Sequence, residues 1–314
     1  MMQVGYSPVA PLLRPLMGTK LMEKIGGETN NQNLQFLRWA HQTMENRVKG
    51  DTNEELAQRK DFVHYLLRGK DPETGRGISL QELKGDSVLF IIAGADTSST
   101  TLSAIFFYLV HHPHVLKKLT SEIRSTFNDV EEIRTGATLN SLTYLRACID
   151  ETLRMSPPVA GLLARRVLPG GLDVDGYHLS EGIEVGTSSY AIHHTEEYFP
   201  APFTFRPERW IVDEAAGITA ESVALAQSAF CPFSLGSRGC IGRGLAYVEL
   251  SLAIARALFL YDVRQAVGDQ TGEGDPALGW GRRLRGEYQI RDRFIAVRDG
   301  PILEFKPRQI ATAA

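Results

Sequence analysis

Residues 88–110 are the most apolar run in this 314-residue chain, yet six polar residues, Asp96 to Thr101, sit at its centre. A run of that length makes about six turns of helix. A lipid-spanning helix resists such a cluster at its midplane. The run therefore reads as a buried helix of a soluble protein. Ser79 and Glu82 have the spacing of a capping box, so the helix is expected to open there and to continue to about Val110.

The flanking pattern is also helical. Leu34, Leu37, His41, Met44 and Val48 recur at three- and four-residue steps over 33–49, and a shorter helix is expected over 58–67. Pro113 suits a first helical turn ahead of Val115, Leu116, Leu119, Ile123 and Phe127. Leu142, Leu145, Ile149 and Leu153 mark a further helix that Pro157 and Pro158 stop. Beyond it the texture changes. Residues 172–174 and 183–189 flank turn signals at Asp175-Gly176 and Glu181-Gly182, which predicts short strands. Pro200, Pro202 and Pro207 mark irregular coil, 242–259 a last helix, and 288–306 closing β-hairpins. The fold class is mainly α with a minor β component.

Bulk properties narrow the function. Hydrophobic residues make up 43% and charged residues 23%, an ordinary globular balance, and a net charge of -3 offers nucleic acid no basic field. The N-terminal segment, broken by Pro8, Pro11 and Pro15, reads as neither signal peptide nor membrane anchor. Three cysteines, Cys148, Cys231 and Cys240, are too few for a disulfide scaffold and suggest a reducing compartment. The pairs His111-His112 and His193-His194 read as surface or turn histidines, because adjacent residues do not share a helix face. No glycine-rich dinucleotide fingerprint follows a predicted strand, so no built-in flavin or nicotinamide site is expected.

Cys240 stands in a glycine-punctuated loop, Phe233 to Gly242, immediately before a helix. Gly236 permits a tight turn, while Gly239 and Gly242 let the backbone approach a flat ligand. A thiolate there is favoured by the helix dipole, and Arg238 brings a fixed positive charge suited to a ligand carboxylate. Taken alone, Cys240 reads first as a small buried hydrophobe, which is what most lone cysteines are.

The segment resembles the haem-binding loop of the cytochrome P450 family, whose pattern Phe-x-x-Gly-x-Arg-x-Cys-x-Gly falls on Phe233, Gly236, Arg238, Cys240 and Gly242. Three further family motifs follow the same order. Ala93-Gly94-Ala95-Asp96-Thr97 is similar to the motif on the helix that crosses the oxygen side of the haem. Glu151 and Arg154 match Glu-x-x-Arg, and Phe205 to Trp210 resembles the later motif whose second arginine, Arg209, joins that pair. The resemblance runs from about Asn33 to Arg308. It implies a cytochrome P450 fold in its C-terminal two-thirds, with the N-terminal helices and part of the first sheet absent. Residues 1–32 are then an unassigned segment, 33–308 the partial domain and 309–314 a tail.

The resemblance implies roles as well. Cys240 becomes the axial ligand of a haem b iron, with Phe233, Arg238, Gly242 and Arg165 as further haem contacts and Arg166 as a rival for the propionate. Asp96 and Thr97 become the proton relay, with the Thr97 hydroxyl bonding back to the Ala93 carbonyl. Glu151, Arg154 and Arg209 form a buried structural triad. Ala93, Gly94, Val159, Ala160, Gly161 and Leu162 are the expected substrate contacts. The implied reaction puts one atom of dioxygen into an apolar substrate, with electrons from NADPH through a separate flavoprotein reductase. The motif context is similar to filamentous-fungal members, which suggests secondary-metabolite chemistry. Location follows as the cytosolic face of the endoplasmic reticulum, or the cytoplasm given no anchor in this chain. The alternative is a non-catalytic remnant that keeps the motifs and binds haem poorly. No Trp-x-x-x-Arg propionate contact is present, and Trp39, followed by Thr43, does not replace it.

Overall fold

Ser79 and Glu82 do form the capping box that starts the longest helix. The Glu82 amide donates to Ser79 Oγ at 3.3 Å, and the Ser79 amide donates to the Glu82 carboxylate at 2.8 Å. The computed structural model describes residues 27–50, 59–279 and 282–308. The reading of the N-terminal segment, the expected helix start at Gln58 and the tail 309–314 lie outside the described residues. In chain order the helices are α1 (Gly27–Gly50), α2 (Phe62–Arg68), α3 (Leu80–His111), α4 (Pro113–Thr126), α5 (Ala137–Asn140), α6 (Thr143–Met155), α7 (Ser189–His193), α8 (Ala220–Ala229) and α9 (Arg243–Leu260). The strands are β1 (Arg165–Arg166), β2 (Leu172–Val174), β3 (Tyr177–Leu179), β4 (Glu184–Val185), β5 (Tyr261–Gln265), β6 (Ile290–Arg291), β7 (Val297–Arg298) and β8 (Leu303–Pro307). The chain is mainly helical with a minor strand component, as its periodicity predicts.

The chain divides into two units at Ala95–Asp96, part-way along α3. In the first unit, Ala40 and Met44 of α1 and Leu83 of α3 are buried. Arg47 binds Asp61 at 2.9 Å, and the same Asp61 caps α2 by accepting from the His64 amide.

The second unit holds the main core. Val115, Leu119 and Ile123 of α4 and Leu145, Ile149 and Leu153 of α6 pack with Leu250, Ile254 and Leu258 of α9 and with Ile105, Phe107 and Tyr108 of α3. Leu142, the residue before α6, offers no capping side chain. Glu122 of α4 supplies the cap, its two carboxylate oxygens each accepting a backbone amide, Tyr144 and Leu145, at 2.8 Å. α6 is buried nearly all round, so the single apolar face expected of it understates its position.

Small antiparallel pairs complete the unit: β1 with β4, β2 with β3, β5 with β8 and β6 with β7. Asp175 and Gly176, both at positive φ, turn β2 into β3. Three expectations need correction. Strand β4 covers only Glu184–Val185, because the Ser188 side chain caps α7 and diverts the chain into a helix. The tail does not fold on itself alone. β6 and β7 pair locally, but β8 runs against β5 with Phe305 opposite the buried Val263. And His193 is fully buried, not a surface residue.

Among the described residues, α3 is long and apolar enough to cross a membrane by length and composition. Its second half, Thr100 to Leu109, lies largely in the core, while Leu89 and Phe90 in the first half are exposed. The expectation of a helix buried throughout is therefore right for one half only.

Candidate haem-binding site

The polar centre of α3 splits into two faces, as side chains at helical spacing must. On one face Ser99 and Ser103 accept from the Arg298 guanidinium at 2.7 and 3.3 Å, and Thr100 donates to the Ala296 carbonyl at 3.4 Å. These bonds tie α3 to β7 and the residue before it. On the other face Thr97, Ser98 and Thr101 line a cavity of about 730 Å³. The ladder between the faces is loaded with side-chain hydroxyls. Thr100 donates back to the Asp96 carbonyl at 2.8 Å and Thr101 to the Thr97 carbonyl at 3.1 Å, a pattern that loosens helices locally. Asp96 is exposed and Thr97 partly buried.

The cysteine loop forms another wall of the same cavity. Phe233, Leu235, Gly236, Arg238 and Cys240 all line it. The loop is held by its own backbone. The Cys240 amide donates to the Phe233 carbonyl at 2.8 Å, and the Gly239 amide to the Gly236 carbonyl at 3.0 Å. Gly236 takes φ +65, where a side chain would be strained, and a Cβ on Gly239 would press the Gly236 carbonyl at 3.2 Å. Gly242 meets no such limit. It is the residue preceding α9, and a Cβ there would make ordinary contact with the Cys240 sulfur at 3.7 Å. Phe233 is seated against the Tyr247 ring at 5.3 Å, with the Arg243 guanidinium over its face.

Of the expected pocket residues, Val159 and Gly161 line this cavity. Ala160 and Leu162 do not. Ala160 is buried and gives its carbonyl to Ser188 Oγ, and Leu162 is exposed. Ala93 and Gly94 belong to the first unit and are exposed. Arg165 lines the cavity, whereas Arg166 turns away to within 3.7 Å of Glu184, which separates the two candidates. Leu163, Val185, Ile192 and Phe294 are lining residues that pattern reading missed. Their only signal is apolar character in short irregular segments, which ordinary packing produces equally.

Glu151, Arg154 and Arg209 come together as a buried cluster beside this site. Arg154 grips Glu151 through Nε and Nη2, both at 2.9 Å, and Arg209 Nε reaches the same carboxylate at 2.9 Å. The Arg206 amide and Trp210 Nε1 add two more donors, at 2.9 and 3.0 Å. Burial by itself raises the Glu151 carboxyl, but the two guanidiniums and these donors hold it below its ordinary value.

The residues present fit a haem. A macrocycle needs a deep apolar slot, a sulfur ligand and cations for its carboxylate arms. Leu153, Val159, Leu163, Phe233 and Leu250 supply the first, Cys240 the second, and Arg165 and Arg238 the third, all on one cavity.

The family model for Cytochrome P450 matches residues 10–279. The chain is 45% identical over 253 residues to cytochrome P450 monooxygenase AKT7 of Alternaria alternata, covering 80% of this chain and 48% of that protein. It is 47% identical over 253 residues to cytochrome P450 monooxygenase apf7 of Gibberella fujikuroi, covering 79% of this chain and 46% of that one. To cytochrome P450 monooxygenase fscF of Fusarium equiseti it is 37% identical over 311 residues, with 97% and 57% covered. The chain thus spans about half the length of these curated relatives. A match running through the sulfur loop, the hydroxyl face of α3 and the buried ion cluster places its descent: this chain belongs to the cytochrome P450 family.

Proposed function

We propose that residues 33–308 form the haem-holding part of a haem-thiolate monooxygenase that inserts one atom of dioxygen into an apolar organic substrate. One observation carries this reading: Cys240 and the hydroxyl residues Thr97 and Thr101 line a single cavity, although Thr101 and Cys240 stand 139 positions apart in sequence.

Haem b, when bound, supplies an iron centre whose thiolate ligand pushes electron density toward O–O cleavage. The chain does the rest. Cys240 donates the sulfur, and Arg238 and Arg165 meet the carboxylate arms. Thr97 lines the cavity while Asp96, one residue before it, is exposed to solvent. Together they move protons inward, one carboxyl–hydroxyl step at a time. The balance requires two electrons and two protons, so that the second oxygen atom leaves as water. The electrons are drawn from NADPH through a separate flavoprotein reductase, met at the cytosolic face of the endoplasmic reticulum. The apolar lining favours a carbon-rich substrate, and the motif context shared with filamentous-fungal members favours a secondary metabolite of polyketide, terpenoid or alkaloid type.

A second reading draws on a different observation. Ile241 is 94% exposed and Leu235 70%, so the loop offers apolar surface to solvent beside Cys240. On that reading the chain keeps the residues but retains haem poorly. Supplying the chain with haem, reductase, NADPH and isotopically labelled dioxygen separates the two. One labelled atom per product molecule supports the monooxygenase, and folded chain that forms no labelled product overturns it in favour of the second reading.

A further inference from the structure

His193 sits at the end of α7, outside the cavity lining, and its burial is complete. Its two ends face two different parts of the site. The main-chain carbonyl accepts from Arg154 Nη1 at 2.9 Å, the arm of that guanidinium not used on Glu151. The ring nitrogen Nε2 lies 3.0 Å from the Cys231 amide, which donates to it. From Cys231 a short series of backbone bonds leads to the cysteine. The Ser234 amide donates to the Cys231 carbonyl at 3.0 Å, and the Cys240 amide donates to the Phe233 carbonyl at 2.8 Å.

We propose that His193 is a positioning residue for the cysteine loop, carrying the fixed geometry of the Glu151–Arg154–Arg209 cluster to the backbone that holds the Cys240 sulfur. The proposal rests on the haem-thiolate reading for its consequence at the sulfur, but the bond to the loop stands apart from it.

Three features make the imidazole suited to this task. An Nε2 that accepts from an amide must carry no proton, so the proton lies on Nδ1. Among the described residues Nδ1 is buried with no hydrogen-bond partner, so the Cys231 bond is the ring's one hydrogen bond. The ring is also clamped, stacked on Phe230 at 5.5 Å and meeting Phe199 edge-on at 6.0 Å, while Phe199 itself lies under the Arg154 guanidinium at 5.4 Å. Its neutrality is secure as well. Burial, and then the charge of Arg154, push its pKa down to about 3.

The bond is tested in the haem-free chain by nitrogen NMR and amide hydrogen exchange. The His193 ring should show a bare Nε2 and a protonated Nδ1, and the opposite tautomer overturns the proposal whatever the variants do. In His193→Leu the amides of 231–242 should exchange roughly three- to tenfold faster, the size of one hydrogen bond. His193→Gln, which returns an acceptor at similar reach, should restore protection. Loop exchange unchanged in His193→Leu, or equally fast in His193→Gln, overturns the proposal. With haem supplied, His193→Leu should lose part of its thiolate-type absorption and His193→Gln should keep it. If the unsubstituted chain shows no thiolate absorption while the tautomer and exchange results hold, the haem reading fails and the loop bond survives.

Discussion

Arg154 and Glu151 meet through two parallel hydrogen bonds of 2.9 Å on one turn of α6, and neither side chain reaches solvent. An exposed pair at this spacing contributes at most about 1 kcal/mol. Here the carboxylate also takes Arg209, the Arg206 amide and the Trp210 indole, so its removal strands several buried donors. Glu151→Ala should therefore destabilise the fold by about 3 to 5 kcal/mol. Arg209→Lys should also destabilise it, since an ammonium has no planar fork to span Glu151 and the Pro200 carbonyl. Denaturant unfolding followed by circular dichroism checks both, and a loss under about 1 kcal/mol for Glu151→Ala would contradict the burial argument.

The two hydroxyl faces of α3 predict different phenotypes. Thr97→Ala removes a cavity hydroxyl, so haem should be kept while product per NADPH falls roughly tenfold or more and hydrogen peroxide rises. Ser99→Ala removes an acceptor for Arg298 and a donor to the Asp96 carbonyl, both outside the cavity lining, and should leave that coupling ratio near its original value. Unchanged coupling in Thr97→Ala would remove Thr97 from the proton path.

Arg165 and Arg166 are neighbours in sequence with opposite surroundings. Arg165→Ala should weaken haem retention roughly tenfold, the size of a lost charge-assisted bond. Arg166→Ala should leave retention unchanged, its partner being the exposed Glu184. Transfer of haem to an excess of apo-myoglobin measures both, and equal loss rates would contradict the assignment.

Acid should weaken the fold in a defined window. Burial and then nearby charge press His193 down to about 3. Burial likewise lowers His194 to about 4, against an ordinary value of 6.5. Each imidazole stays neutral in the folded chain while its unfolded counterpart takes up a proton. Their contribution is thus complete above 6.5 and drains away as pH falls toward 3 to 4. At pH 5 the loss should be about 2 kcal/mol for each. His193→Gln should remove roughly half of the slope between pH 6.5 and 5. A flat unfolding midpoint across that range would show that the two rings are not held neutral.

The sequence made the helices legible because their apolar periods are long and their caps are explicit. α3 with Ser79 and Glu82, and α4 with Pro113, start as their residues predict. The cysteine loop was legible because five positions, Phe233, Gly236, Arg238, Cys240 and Gly242, fall on a family pattern of fixed spacing. What stayed hidden depends on contacts distant in sequence. His193 reads as one half of a polar pair until α6 and the Cys231 amide enclose it. β8 reads as half of a local hairpin until β5, some forty residues earlier, claims it. The split of Ser99 and Thr97 onto separate faces follows from helical spacing, but which face met the cavity depended on Arg298.

The account turns on one bond between sulfur and iron, and the carbon-monoxide difference spectrum of the reduced, haem-supplied chain reads that bond directly. The chain as it stands should give the red-shifted Soret band of a thiolate-ligated haem, and Cys240→Ser should abolish it. Folded protein whose spectrum matches that of Cys240→Ser would contradict the account at its centre.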